Sequence, residues 1–306
     1  MPTIPQILDG QKPANSGRVR SLFPPGTKFA YSGGGVVITQ LLITDQTGMA
    51  YATYMKQAVL EPLRMNSSSF EQPPTDTSNL ATGYEGDGKP LTGRYHIYPE
   101  EAPAGLWTTP TDMAKYVIET QLAYAGHSKI LDQQMTRLRL TPVITPVALG
   151  VFIEKKDSTI YFDHAGENKG FTCEYYGSLE GGNGVVVMIN SQHFGIIPEV
   201  IGSVARVYGF KGLGNTTFKK HVNVPDSLLK TYCGDYQLAP NVKVHISDEG
   251  GVLYAHPDGQ PKSRLYAEAL NEFLIGELAN PVELEFTGGN LVLHQNGKQM
   301  VAKRIQ

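Results

Sequence analysis

The chain has 306 residues, a net charge of −3, 41% apolar residues and 18% charged residues. These values describe a globular chain that is long enough for two domains, and they argue against a strongly basic nucleic-acid-binding or polybasic membrane-binding protein. No apolar run approaches the ~20 residues that a membrane-spanning helix needs. We therefore expect no nucleic-acid partner and no membrane span.

Cysteine and histidine usage argues against a disulfide and a metal centre. The two cysteines, Cys173 and Cys233, are far apart in the sequence, so two free thiols are predicted rather than a disulfide. The eight histidines are scattered, and none has the spacing that is typical of zinc sites. We predict no metal ion and no cofactor.

The first part of the chain mixes predicted helices and strands. Apolar periodicity predicts helices at 36–45, 50–60, 108–125 and 197–208. The clearest of them follows Thr109, which is expected to cap the helix, with Pro110 in the first turn. Two runs, 169–178 and 184–191, predict a β-hairpin around the turn Glu-Gly-Gly-Asn-Gly.

The last part of the chain reads as an all-β domain. Short runs that alternate apolar and polar residues are separated by turn sequences rich in glycine, aspartate and asparagine, and they predict a small antiparallel barrel or sandwich. A shift in composition near 211–225 predicts a first domain at 1–212, a linker at 213–225 and the β-domain at 226–306. The runs are 242–247, 251–256, 264–269, 272–277, 282–287, 290–295 and 299–305.

A glycine triplet, Gly33-Gly34-Gly35, precedes the first predicted helix. Taken alone, it suits either an anion held by backbone N–H groups or a tight turn that packs closely on a neighbour. No Gly-x-Gly-x-x-Gly or Walker pattern surrounds it, so a phosphate site is the weaker interpretation.

The motifs around this triplet resemble those of the serine β-lactamase-related family, which includes class C-type β-lactamases, penicillin-binding DD-peptidases and related esterases. Residues 104–116 are similar to its Gly-Leu-x-Ser/Thr-x-x-Asp segment, and residues 162–177 to its Lys-Thr-Gly strand, which many members write as His-x-Gly. The resemblance implies an α+β fold with a mixed β-lactamase/penicillin-binding-protein-like domain followed by the small β-domain. Its first block stands here as Pro25-Gly26, Tyr31-Ser32-Gly33, Thr47-Gly48 and Pro62-Leu63-Arg64-Met65.

The resemblance implies a site for acyl transfer. Tyr31 and His164 would be its catalytic pair, with the tyrosine as base or proton relay, and Gly33, Trp107 and Gly166 would bind substrate. A phenol serves as a base only where nearby positive charge favours the phenolate, and a backbone N–H near Gly166 would help to form the oxyanion hole. Gly33 stands where the family usually has asparagine, which favours an esterase-like pocket. Ordinary packing would also explain Tyr31 and Trp107.

The family's nucleophile, the serine of Ser-x-x-Lys, has no counterpart before Tyr31. The sequence holds that pattern once, at Ser227-Leu228-Leu229-Lys230, within the predicted β-domain and in the wrong order. We therefore expect the chain to begin inside the family's catalytic domain. An apolar groove and a strand edge would then be exposed, which predicts self-association or a repacked first domain.

The sequence supports more than one function. The first is a serine hydrolase acting on an ester, an amide or a D-amino-acid peptide, impaired because the nucleophile segment is absent. The alternative is a non-catalytic protein that binds a small-molecule or peptide-like ligand in the remnant cleft or on the β-domain, and a third hypothesis is complementation by a separate N-terminal fragment. The compartment stays open: complete relatives are usually exported, and the chain has no signal peptide.

Overall fold

A computed structural model describes residues 1–128, 130–213, 221–240, 242–260, 262–275, 282–295 and 298–305. They group into two compact units, one formed by Met1–Gln192 and Glu199–Asn215 and the other by His193–Pro198 and Thr216–Gln306. The domain boundaries drawn from the sequence stay a prediction. None of the described helices is both long enough and apolar enough to span a bilayer.

The helices of the described chain before residue 213 begin and end at local signals. Ser32 caps the second helix by accepting a hydrogen bond from the Gly35 amide, and Gly48 ends it in the left-handed conformation. The Thr109 hydroxyl accepts from the Asp112 amide, as predicted. The helices are α1 (Ile4–Asp9), α2 (Gly33–Thr47), α3 (Tyr51–Met55), α4 (Glu101–Ala104), α5 (Pro110–Tyr124), α6 (Gln133–Arg139) and α7 (Ile196–Tyr208).

Two predicted helices differ from the observed ones. The helix predicted at 36–45 begins at Gly33, because the Ser32 cap draws the glycine triplet into the first turn. The helix predicted at 50–60 is α3 followed by a π-helical turn at Lys56–Leu60. Helices α1 and α6 were not predicted, since each is too short to show an apolar period.

A four-stranded antiparallel sheet carries the first unit, in the order β1-β2-β3-β4. The predicted hairpin is β3 and β4, whereas residues 162–168 belong to a separate strand, β2, which pairs with β3 through His164↔Tyr175 and Gly166↔Cys173. The strands are β1 (Phe152–Lys156), β2 (Thr159–Asn168), β3 (Phe171–Ser178) and β4 (Gly184–Ile189).

Helix α5 packs on one face of this sheet. Val117 on the helix meets Phe162 and Tyr175 on the strands in one buried cluster. The approach is so close that a Cβ atom on Gly177 would lie 2.3 Å from Cζ of Phe162, so glycine is required there. Burial of these side chains contributes roughly 25 cal/mol per Å² of apolar area to the free energy of folding. This packing also holds β2, the strand that contains His164, against α5.

The second unit is a nearly closed antiparallel sheet that follows helix α8 (Asp226–Tyr232). Along one of its strands, Val244 and Ile246 are buried while the alternating Lys243 and His245 are exposed, which is the pattern that predicted the barrel. The strands are β5 (Gly234–Ala239), β6 (Val242–Asp248), β7 (Leu253–Pro257), β8 (Ser263–Arg264), β9 (Tyr266–Ala267), β10 (Glu272–Ile275), β11 (Val282–Thr287), β12 (Asn290–Gln295) and β13 (Lys298–Arg304).

The strand order places the two shortest strands at the two edges of this sheet. It runs β8-β7-β6-β5-β13-β12-β11-β10-β9, and β8 and β9 are separated in sequence by Leu265 alone. The Leu265 side chain is buried, and its backbone N–H donates to the Leu253 carbonyl at 2.9 Å. The run predicted at 264–269 as one strand is therefore divided at Leu265. Residues 276 and 277 of the run predicted at 272–277 lie outside the described residues.

Candidate active site

A cleft of about 960 Å³ opens in the first unit. Four of the five residues proposed for the site line it, namely Tyr31, Trp107, His164 and Gly166. Gly33 does not line the cleft, since it lies in the first turn of α2 beyond the Ser32 cap. The cleft therefore brings together side chains from the segment before α2, the segment before α5 and strand β2.

Tyr31 and His164 are adjacent in this cleft. Their ring centroids are 6.2 Å apart, and the imidazole also lies 5.7 Å from the ring of Phe152, which in turn contacts Phe29 edge-on. Tyr31 is 69% exposed, so its hydroxyl is open to a ligand as well as to solvent. The arrangement places a phenol beside an imidazole, and both are side chains of the kinds that serve in proton transfer.

Strand β2 presents backbone groups beside this pair. β1 pairs with β2 only as far as Phe152↔Asp163, so no described strand covers the outer edge of β2 from His164 to Asn168. The N–H and C=O groups of such an edge can pair with an extended ligand. Gly166 suits this place because a Cβ atom there would lie 2.9 Å from Sγ of Cys173.

Cys173 is not a candidate nucleophile. Burial raises the pKa of its thiol, and the thiolate is the reactive form. Neither cysteine is in a disulfide, as predicted.

The sole tryptophan forms part of an aromatic cluster in the cleft wall. The Trp107 ring meets those of Tyr95 and Phe171 edge-on, with centroids 5.2 and 5.6 Å apart. Trp107 is also fixed through its backbone, which exchanges two hydrogen bonds with Ser69 at 2.8 and 2.9 Å. The sequence left open whether Trp107 packs or lines the pocket. In the structure Trp107 packs against Tyr95 and Phe171 and also lines the cleft.

Polar contacts hold the turn between β2 and β3 against the opposite loop. Asn168 Nδ2 donates to the Ala104 carbonyl at 2.9 Å, and the Lys169 amide donates to the Tyr98 hydroxyl at 3.1 Å. The Lys169 ammonium pairs with Glu85. These contacts therefore hold the rim of the cleft in place without a ligand.

A buried carboxylate, Asp112, supports the floor of the site. It accepts hydrogen bonds from the Ser67 amide at 2.8 Å, the Ser68 hydroxyl at 2.9 Å and the Lys115 ammonium at 2.7 Å. Burial favours the neutral acid, but these three donors outweigh it and lower the pKa of Asp112. Asp112 was not among the residues predicted for the site.

Three serine hydroxyls near the cleft have structural partners. Ser32 Oγ accepts from the Gly35 amide at 3.0 Å, and Ser69 Oγ accepts from the Glu71 amide at 3.0 Å. Ser68 is engaged with Asp112. One lysine, Lys169, is found among the described residues that line the cleft, and its ammonium group is paired with Glu85.

The single Ser-x-x-Lys of the sequence lies elsewhere. Ser227 and Lys230 belong to α8, in the second unit. Neither residue lines the described cleft.

The residue before His164 is a buried acid that the sequence did not single out. Asp163 is buried, and its Oδ2 atom has no hydrogen-bond partner among the described residues. The pKa of Asp163 is raised to about 7, mainly by burial and also by the nearby Glu154 and Glu174, while Lys156 opposes the shift. The Asp163 side chain, which lies within β2, is therefore mainly in its protonated, neutral form in weakly acidic solution.

The fold is β-lactamase- and penicillin-binding-protein-like. It matches the octameric penicillin-binding protein homologue from Pyrococcus abyssi with a TM-score of 0.59 at 21% identity, over 98% of this chain and 70% of that one. It also matches SurE, solved with D-Leu, with a TM-score of 0.55 at 18% identity, over 99% of this chain and 72% of that one.

Sequence comparison gives the family. The model of the β-lactamase family matches residues 12–197, and the chain belongs to that family. The β-lactamase of Yersinia enterocolitica is 28% identical over 109 residues, which are 35% of this chain and 28% of that protein. The chain thus spans less than a third of that curated relative.

Proposed function

We propose that the first unit binds a peptide- or amide-like ligand that contains a D-amino acid, and that the residues of this cleft do not themselves become acylated. The contact between Tyr31 and His164 in a cleft that Trp107 also lines carries the proposal. Membership of the β-lactamase family, whose complete members act through an acylated serine, supports the acyl-transfer character of the site.

The free edge of β2 favours an extended ligand. A ligand backbone would pair with the N–H and C=O groups between His164 and Asn168, while its side chain would reach the aromatic cluster of Tyr95, Trp107 and Phe171. A volume of about 960 Å³ accommodates a ligand of a few residues. The D-amino acid is suggested by the D-Leu of the SurE structure.

Tyr31 and His164 would handle the proton of such a ligand. The exposed phenol can donate a hydrogen bond to a carbonyl or a carboxylate, and the imidazole beside it can accept a proton or donate one. The Phe152 ring restricts the imidazole from the other side. Binding therefore needs His164, even where no bond is broken.

Ligand binding should change the fluorescence of Trp107, the sole tryptophan. We expect a short peptide ending in D-Ala-D-Ala to shift or quench its emission in a saturable manner, and His164→Ala to weaken binding at least tenfold. A fluorescence titration measures both. The His127→Ala variant is the control, because His127 is exposed and does not line the cleft. Equal binding by the all-L peptide, or full affinity in His164→Ala, would contradict the proposal.

Acylation should not occur in the isolated chain. Three serine hydroxyls near the cleft, those of Ser32, Ser68 and Ser69, are engaged in structural hydrogen bonds, and the lysine that lines the described cleft is paired with Glu85. No unpaired lysine of the described lining is therefore available to activate a serine there. We expect no covalent adduct with a fluorophosphonate or a labelled penicillin, measured by intact-protein mass spectrometry against an active serine hydrolase. A stoichiometric adduct that is lost on mutation of one serine would disprove the second half of the proposal and leave the first half standing.

Self-association stays a prediction. The exposed apolar side chains of α2, Val36, Ile38 and Leu42, support it, because such residues are usually covered in a folded protein.

A further inference from the structure

Three polar side chains form one cross-strand row in the second unit. Asp235 on β5 is the register partner of His245 on β6, and His245 is the register partner of His256 on β7. Both histidines are exposed. Residues directly opposite each other on antiparallel strands have Cβ atoms about 5 Å apart on the same face of the sheet, so the two imidazoles project from neighbouring positions on one face.

The first histidine is already oriented by the carboxylate. Nδ1 of His245 lies 2.6 Å from Oδ1 of Asp235. When Nδ1–H donates to this oxygen, the lone pair of Nε2 is left pointing away from Asp235. Histidines that bind metals are commonly held in this way, with the other ring nitrogen donating to a carboxylate that fixes the tautomer and raises the basicity of the ligand.

We propose that His245 and His256 bind a divalent late transition-metal ion, with Asp235 as the positioning residue for His245. Each imidazole would supply one nitrogen at about 2.0–2.1 Å for Zn²⁺, and water would complete the coordination. Among the described residues, no three His, Cys, Asp or Glu side chains form a metal-binding group, so the site has two protein ligands and stays open to solvent. Imidazole ligands favour Cu²⁺, Ni²⁺ and Zn²⁺ over Mg²⁺ and Mn²⁺.

Calorimetric titration of the untagged full chain with Ni²⁺ tests the site. We expect one ion to bind, a loss of at least tenfold in affinity in His245→Ala and in His256→Ala, and a loss of about tenfold to a hundredfold in Asp235→Asn. Cu²⁺ should bind more tightly than Ni²⁺, and Mn²⁺ more weakly. In NMR spectra, paramagnetic Ni²⁺ should selectively broaden two of the eight imidazole signals, and these should be the two signals that disappear in the variants.

His294→Ala is the matched control. His294 also faces a carboxylate, with Nε2 3.9 Å from Glu285, but its register partners are Glu283 and Gln299 rather than a second histidine. Its substitution should leave Ni²⁺ binding unchanged. Full affinity in the His245→Ala/His256→Ala double variant would overturn the proposal, as would no binding by the unaltered chain. Unchanged circular dichroism would show that the variants are folded.

Discussion

Asp112→Ala is expected to lower the free energy of unfolding by about 3 kcal/mol. The variant loses hydrogen bonds from the Ser67 amide, the Ser68 hydroxyl and the Lys115 ammonium, and bonds to a charged acceptor contribute about 1.5–3 kcal/mol each before the remaining groups find water. Urea denaturation at neutral pH measures the change. The cleft should lose order with it, because Ser68 and Ser69 connect this carboxylate to the Trp107 strand bridge.

The effect of Asp112 should also depend on pH. Because the folded-state pKa is lowered, the stabilisation is fully present above the ordinary aspartate pKa and is lost only as the pH falls through the lower, folded value. Asp87→Ala is the matched control, since Asp87 also pairs with a lysine, Lys89, but on the surface. An Asp112→Ala variant no less stable than Asp87→Ala would show that the buried hydrogen bonds do not stabilise the fold.

Asp163→Asn is expected to stabilise the protein, by an amount that grows as the pH rises from about 4 to 7. The pKa of Asp163 is about 7 in the folded chain, against 3.8 in the reference state. As the pH rises from about 4 to 7, the unfolded chain releases this proton before the folded chain does, so stability falls by about 1.4 kcal/mol per pH unit and then levels off. Asparagine does not titrate, and the gain at pH 8 is therefore up to about 4 kcal/mol.

Urea denaturation at pH 4 and pH 8 separates this effect from a change in packing. The two proteins should differ little at pH 4, where Asp163 is protonated in the folded state and still partly protonated in the unfolded state, and most at pH 8. Glu180→Gln, which removes an exposed carboxylate at the turn between β3 and β4, should show no such divergence. A constant difference at both pH values would mean that Asp163 is ionised in the folded protein.

Local chemistry made some of this fold predictable. The start of α5 follows from the Thr109 hydroxyl and Pro110, which act within one turn. The strands of the second unit follow from period-two alternation and turn residues, because one face is buried and the other is exposed. Strand β5, with the sequence Gly-Asp-Tyr-Gln-Leu-Ala, was missed because a glycine and an aspartate begin it and only Tyr236 is fully buried.

The candidate site was less accessible to sequence reasoning. The proximity of Tyr31 and His164 was expected only through a family resemblance, because 133 positions separate them and no local pattern joins them. Asp163 was missed because Tyr161, Phe162 and Asp163 are all buried, so β2 shows no alternation that would reveal its faces. The pairing of His245 with His256 depends on the register of a hairpin whose turn places Gly250 and Gly251 at positive φ.

Because a single residue connects β8 and β9, the second unit should be sensitive to insertions at that connection. Because Leu265 is the whole connection, the polypeptide itself holds the two margins of the sheet at a fixed separation. A few residues inserted here would remove this link between β8 and β9, and the outer peptide groups of both strands could then pair with strands of other molecules. Loop grafting at this point would thus favour aggregation, whereas the same insertion at an exposed hairpin turn would leave the sheet intact.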